Sequence, residues 1–138
     1  WTGAEANINQ SIDALIDNYS TELTATTSNN RGFYQYEKTM NEDTMYYAEV
    51  WVKGTGVVSL CIKYPNTDTT NCGDENILNE VSWTKISRSR QPSNSGNNGG
   101  IKLNIKYDDS QGIPSGSKIL IGAAWLGEAE PPAGWPSQ

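Results

Sequence analysis

The sequence predicts an all-β domain, folded as a sandwich or a barrel. Short runs rich in β-branched and aromatic residues recur along the chain, each bounded by turn formers, and no long amphipathic helical period interrupts them. Their spacing is roughly regular, with about seven runs in all, as expected of strands that fold back on one another.

Taken in order, residues 20–26 read as a first strand and residues 32–40 as a second, parted by Ser28-Asn29-Asn30. The next strand, residues 45–53 (MYYAEVWVK), is the clearest. Strand alternation puts Tyr46, Ala48, Val50 and Val52 on one face and Tyr47, Glu49, Trp51 and Lys53 on the other. The first set is the core face. The second is polar yet carries two aromatics, which is unusual for a face meeting only water.

After the turn Gly54-Thr55-Gly56 come strands at 57–64, 81–89, 101–107 and 118–126, with loops expected at 93–100 and 108–116. Ile101, Leu103, Ile105 and Tyr107 face inward, leaving Lys102, Asn104 and Lys106 outside. In residues 32–40, Tyr34, Tyr36, Lys38 and Met40 oppose Phe33, Gln35, Glu37 and Thr39, and the pattern does not decide which set is inward. Residues 9–16 are expected to be loop or a short strand. The end carries Pro131, Pro132, Gly134 and Pro136, so residues 1–128 are expected to form the domain and 129–138 a Pro-rich linker or tail.

The totals narrow the function. A chain of 138 residues suits one domain with a real core, and its 36% hydrophobic residues fall in clear runs, which excludes disorder. The net charge of -6 excludes nucleic acid and anionic membranes as partners, because phosphate binding rests on Lys and Arg displacing counterions. No apolar stretch approaches the ~20 residues that cross a bilayer. Trp1-Thr2-Gly3-Ala4-Glu5 does not read as a signal peptide, so a mature chain or an excised module is expected.

The sequence has no His, which removes the usual general base of Ser and Cys hydrolases and the commonest transition-metal ligand. Five Trp and seven Tyr stand against one Phe. Trp and Tyr join a flat apolar face to a polar edge, so this skew suits a surface that contacts something amphipathic. Cys61 and Cys72 bracket the turn-rich stretch 64–71 and are expected to pair, which argues for an oxidising, extracellular setting; two free thiols are the alternative.

Three segments together carry a family resemblance. Residues 43–54 (DTMYYAEVWVKG) resemble the strand of carbohydrate-binding modules of families 4, 16 and 22 that follows a tight turn and ends in an aromatic, a β-branched residue and Lys-Gly. Ser82-Trp83-Thr84-Lys85-Ile86-Ser87 resembles their short Trp-Thr-Lys strand, and residues 118–128 their closing strand. The ordered set covers most of residues 20–128. It implies a two-sheet antiparallel β-sandwich (jelly roll) that binds polysaccharide without catalysis. It further implies a secreted, monomeric accessory module linked to a glycoside hydrolase or polysaccharide lyase.

The chain departs from that pattern at Gly122-Ala123, where the closing strand of these families has paired Asp. Such families often hold a structural calcium near there. Asp13, Asp17 and Glu22 could supply oxygen ligands here, and the metal is left open; no other cofactor is expected. The alternative reading of the Gly-Ala pair is a bulge that turns Trp125 away from the face of Ala124 and Leu126. The same closing strand also resembles jelly-roll modules of phage tail proteins, which are adhesive or sugar-binding.

By resemblance, one sheet face supplies a stacking platform for pyranose rings, with polar side chains at its rim. The candidates are Trp51, Tyr47 and Glu49 on one strand, Tyr34, Gln35 and Tyr36 on the strand expected beside it, and Trp125 on the closing strand. Each has a structural alternative: Trp51 as a plug at the sandwich edge, Tyr47 under a loop, Trp125 in the core. Trp83 is assigned to packing, and Trp1 and Trp135, near the termini, are not candidates. Lys85, Arg88 and Arg90 form a basic cluster, read as a solvated face or as a carboxylate fork for a uronate. The best carboxylate pair for hydrolysis is Glu37 with Glu49, on strands expected to be adjacent, and no enzymatic activity is expected from it. A structural or adhesion module, binding protein through an apolar patch, is the alternative function.

Overall fold

A computed structural model describes residues 2–4, 6–11, 15, 20–25, 32–106 and 118–136, with the backbone alone for 2–11, 25, 32–34, 36 and 106. The described residues form eleven strands: β1 (Thr2–Ala4), β2 (Ala6–Ser11), β3 (Ser20–Ala25), β4 (Gly32–Met40), β5 (Tyr46–Gly54), β6 (Val57–Lys63), β7 (Thr70–Cys72), β8 (Asn76–Ile77), β9 (Thr84–Arg90), β10 (Gly96–Lys106) and β11 (Lys118–Gly127). They form two antiparallel sheets, β1-β4-β10-β6-β7 with β8 also on β6, and β2-β3-β11-β5-β9. Among the described residues there is no helix. The protein is an all-β sandwich of jelly-roll type.

The core lies between the sheets and follows the alternation read from sequence. Tyr46, Val50 and Val52 of β5 meet Val58, Leu60 and Ile62 of β6 and Ile101, Leu103 and Ile105 of β10, all buried. Tyr46 keeps its hydroxyl satisfied by accepting the Asn41 N–H at 2.8 Å, the usual solution for a buried phenol. Cys61 and Cys72 are joined by a disulfide across the β6–β7 pair.

Strand β4 explains why its inward face could not be read. Gln35 pairs with Ile101, whereas Lys38 pairs with Gly99, so β4 spends one extra residue between them. That bulge reverses the alternation: Gln35 pairs with inward-facing Ile101, and Met40, opposite to Gln35 in parity, is buried in the core. A second irregularity in β10, with Asn98 at φ 63, follows immediately.

Several boundaries differ from those expected. β10 begins at Gly96, inside the expected loop, because its Gly and Asn residues pair with β4 despite having no apolar rhythm to announce a strand. β9 begins at Thr84 rather than at 81: Asn79 Oδ1 accepts the N–H groups of Val81 and Ser82, holding them in a turn. Of residues 9–16, positions 9–11 belong to β2. The short strands β1, β7 and β8 were not expected. The expected turns at 28–30 and 108–116, and Tyr107, lie outside the described residues.

Candidate functional site

The outer face of the second sheet gathers the aromatic and polar residues. Across β11, β5 and β9, the register sets Ala123 beside Trp51 beside Lys85, Trp125 beside Glu49 beside Ser87, and Gly127 beside Tyr47 beside Ser89. The inward faces of β5 and β9 are spent on Tyr46, Ala48, Val50, Val52 and Ile86, so alternation turns these other side chains outward.

Trp125 joins this face because of a bulge. Ile121 pairs with Val52 and Ala123 with Trp51, leaving Gly122 as the extra residue. A Cβ at Gly122 would lie 2.7 Å from Leu15 Cβ and 2.9 Å from Trp83 Cζ3, so only Gly fits there. The expected bulge is therefore present. Trp83 packs behind it, with Lys53 Nζ lying 4.8 Å from the centroid of its ring.

Glu49 is the polar centre. Only 9% exposed, it accepts hydrogen bonds from Trp51 Nε1–H (3.4 Å) and from the Ser87 hydroxyl (3.4 Å). Tyr47 and Trp51 flank it, each half-buried. These residues, with Lys85 and Ser87, floor a cleft of about 460 Å³ whose other side is formed by residues 130–135.

That far side is the feature sequence reasoning passed over. After β11, residues 130–135 lie over the cleft as its lining. Trp125 Nε1–H donates to Ala129 O at 3.0 Å, and Trp135 N–H donates to Pro132 O at 3.0 Å. The signal was in the sequence: Pro-Ala-Gly-Trp suits a type II turn, with Gly at the position that needs positive φ.

The other candidates do not share this cleft. Strand β4 pairs with β1 and β10 in the first sheet and is not the neighbour of β5. Gln35 instead borders a separate groove of about 240 Å³ with Glu37, Ile101, Ala124, Trp125 and Leu126. The backbones of Tyr34 and Tyr36 lie on β4, and their side chains are outside the described residues. Glu37 and Glu49 sit in different sheets and so do not form the carboxylate pair considered for hydrolysis.

The basic cluster also divides. Lys85 and Arg88 both border the cleft, but Arg88 bonds to Asn71 Oδ1, and Arg90, which does not border it, donates its Nε–H to the Tyr64 hydroxyl at 2.7 Å. Both arginines are thus engaged by partners of the first sheet and its loops. Asp13 and Asp17 lie outside the described residues, and Glu22 is paired with Lys118 at 3.2 Å. Among the described residues no three His, Cys, Asp or Glu side chains are grouped as metal ligands. Calcium thus finds no built carboxylate cage in this part of the protein.

No protein-family model and no curated protein matches the sequence. Solved structures do match in fold. The family 22 module of Clostridium thermocellum xylanase 10B, in a structure of the module with its glycoside hydrolase 10 domain complexed with xylohexaose, gives a TM-score of 0.66 at 14% identity, over 90% of this chain and 25% of that one. A family 16 carbohydrate-binding module gives 0.61 at 15% identity, over 89% and 86%. The enzymatically active domain of bacteriophage CBA120 tailspike protein 4 gives 0.61 at 17% identity, over 91% and 18%. The fold is the one shared by the carbohydrate-binding modules that the sequence resembles.

Proposed function

We propose that this chain is a non-catalytic carbohydrate-binding module that holds a polysaccharide of plant or algal cell-wall type on the outer face of its second sheet. It works as an exported, monomeric module that brings an attached enzyme to its glycan. The observation that carries this reading is the β5 triplet, in which Trp51 and Tyr47 flank a nearly buried Glu49 in an open cleft. Successive outward positions on a strand are about 7 Å apart, so the two rings present stacking surface on either side of one acceptor. A carboxylate has roughly four acceptor positions, and its two long protein bonds leave capacity for sugar hydroxyls. Stacking excludes water from the C–H face of a pyranose while the polar rim fixes its orientation.

The fold shared with a family 22 module of a xylanase, solved together with its glycoside hydrolase 10 module in complex with xylohexaose, makes xylan the first glycan to test. Affinity gel electrophoresis against soluble neutral and acidic polysaccharides would compare wild type with Trp51→Ala and Glu49→Gln. Retardation by one glycan class is expected. Loss of the Trp51 ring should weaken it by about 2 kcal/mol, roughly thirtyfold. A folded protein retarded by no glycan refutes the proposal, and retardation unchanged in both variants refutes the site.

A second reading has one observation behind it. Ile77 and Val81 are 82% and 84% exposed beside the Gly54–Val57 turn, an apolar patch that a protein-binding adhesion module would use. It gains weight if the glycan panel is empty.

A further inference from the structure

The cleft has two walls, and the second is the segment after β11, held by contacts with Trp125 of that strand and by its own turn. The Trp125 indole holds Ala129 O, and the bond from Trp135 N–H to Pro132 O closes the turn Pro132-Ala133-Gly134-Trp135. Gly134, at the third position, has φ 86, which a type II turn requires and other residues adopt at a cost. The turn sends Trp135 back onto the sheet, where its ring meets the Trp125 ring edge-on, with centroids 5.8 Å apart and planes at 68°. Trp135 borders the cleft, as do Trp51 and Tyr47, whereas Trp125 does not.

We infer that Trp135 is a sugar-contacting residue, facing the glycan from the wall opposite Trp51 and Tyr47, and that Trp125 is a positioning residue that acts through Trp135. The inference rests on the carbohydrate-binding reading and adds to it a second aromatic wall. A pyranose ring has two faces, and a single platform desolvates one of them. A cleft with indoles on both sides can desolvate both, and Glu130 on the same wall adds an acceptor for hydroxyls at the rim. The turn and the indole–carbonyl bond set that wall before a ligand arrives, which spares the binding step the cost of ordering it.

The test is isothermal titration calorimetry of the full chain with xylohexaose, cellohexaose and mannohexaose, using wild type, Trp135→Ala, Trp135→Tyr, Trp125→Ala and the double Ala variant, with thermal melts to confirm folding. Trp135→Ala is expected to weaken the bound hexaose about tenfold, and Trp135→Tyr to recover most of that loss. Trp125→Ala should weaken binding to a similar degree, and the double variant should be no worse than Trp135→Ala alone, as for residues acting through one contact.

Unchanged affinity in Trp135→Ala overturns the inference while leaving the carbohydrate reading intact. Tighter binding, or binding gained only in that variant, overturns it by making the segment a strap over the platform. Additive losses in the double variant overturn the positioning role of Trp125. Binding of no hexaose by any folded variant overturns the inference, and refutes the carbohydrate reading as well where no polysaccharide of the gel panel retards the protein.

Discussion

Gly54→Ala isolates how the register beneath the cleft is held. Gly54 ends β5 at φ 142, opposite Ile119 of β11. A Cβ there would lie 2.2 Å from Lys118 O and 2.9 Å from Ile119 Cα. Both are main-chain atoms, and Lys118 O is further held by the Thr55 N–H at 3.1 Å, so neither can rotate aside. The strained backbone costs about 1–3 kcal/mol. Displacing a packed strand adds about 1–3 kcal/mol more. A loss near 4 kcal/mol is expected, a large share of the roughly 5–15 kcal/mol that holds a domain folded.

Gly134→Ala is the internal control, since it too has positive φ but nothing lies within 4 Å of the new Cβ. It should lose only the strain of the left-handed backbone, about 1–2 kcal/mol. Urea unfolding followed by tryptophan fluorescence measures both, with unchanged slope as the check on two-state behaviour. A Gly54→Ala loss under about 1 kcal/mol, or equal losses in the two variants, would refute the reasoning from main-chain contact.

Three further outcomes are expected. Replacing Cys61 and Cys72 together by Ala should lower the urea-derived stability by about 3 kcal/mol, the chain-entropy value for residues 11 apart in sequence; an unchanged midpoint would show that the unfolded chain is already compact there. Arg90→Ala and Tyr64→Phe should couple by about 1 kcal/mol in a double-mutant cycle, while Arg88→Ala and Arg90→Ala leave retardation by polygalacturonate unchanged; loss of that retardation would restore the uronate reading.

The strands whose apolar residues alternate cleanly were legible from sequence, and β5 is the best case. Its period of two fixed which residues are core and which are cleft before any partner was known. The Gly122 bulge was legible for a similar local reason, since a Gly-Ala pair interrupts an otherwise continuous β run. What escaped was non-local. Nothing in residues 32–40 says that β4 belongs to the first sheet, because strand pairing depends on loops that carry no register. Gly99 and Asn98 show no periodicity, so the first half of β10 read as loop. The contacts of residues 130–135 escaped because Pro and Gly mark linkers and turns alike, and nothing local says that Trp135 meets Trp125.

The place of β9 in its sheet has one more consequence. Among the described residues it pairs with β5 alone and so ends the sheet, with no described strand beside its other row of backbone groups. Such an edge is a template on which a second molecule could continue the sheet. Lys85, Arg88 and Arg90 space three positive charges along those seven residues. Two copies brought edge to edge would set cation against cation, while an acidic chain arriving there would still have to displace Arg88 from Asn71 and Arg90 from Tyr64. The strand that floors one side of the cleft is thereby kept from growing into its neighbour.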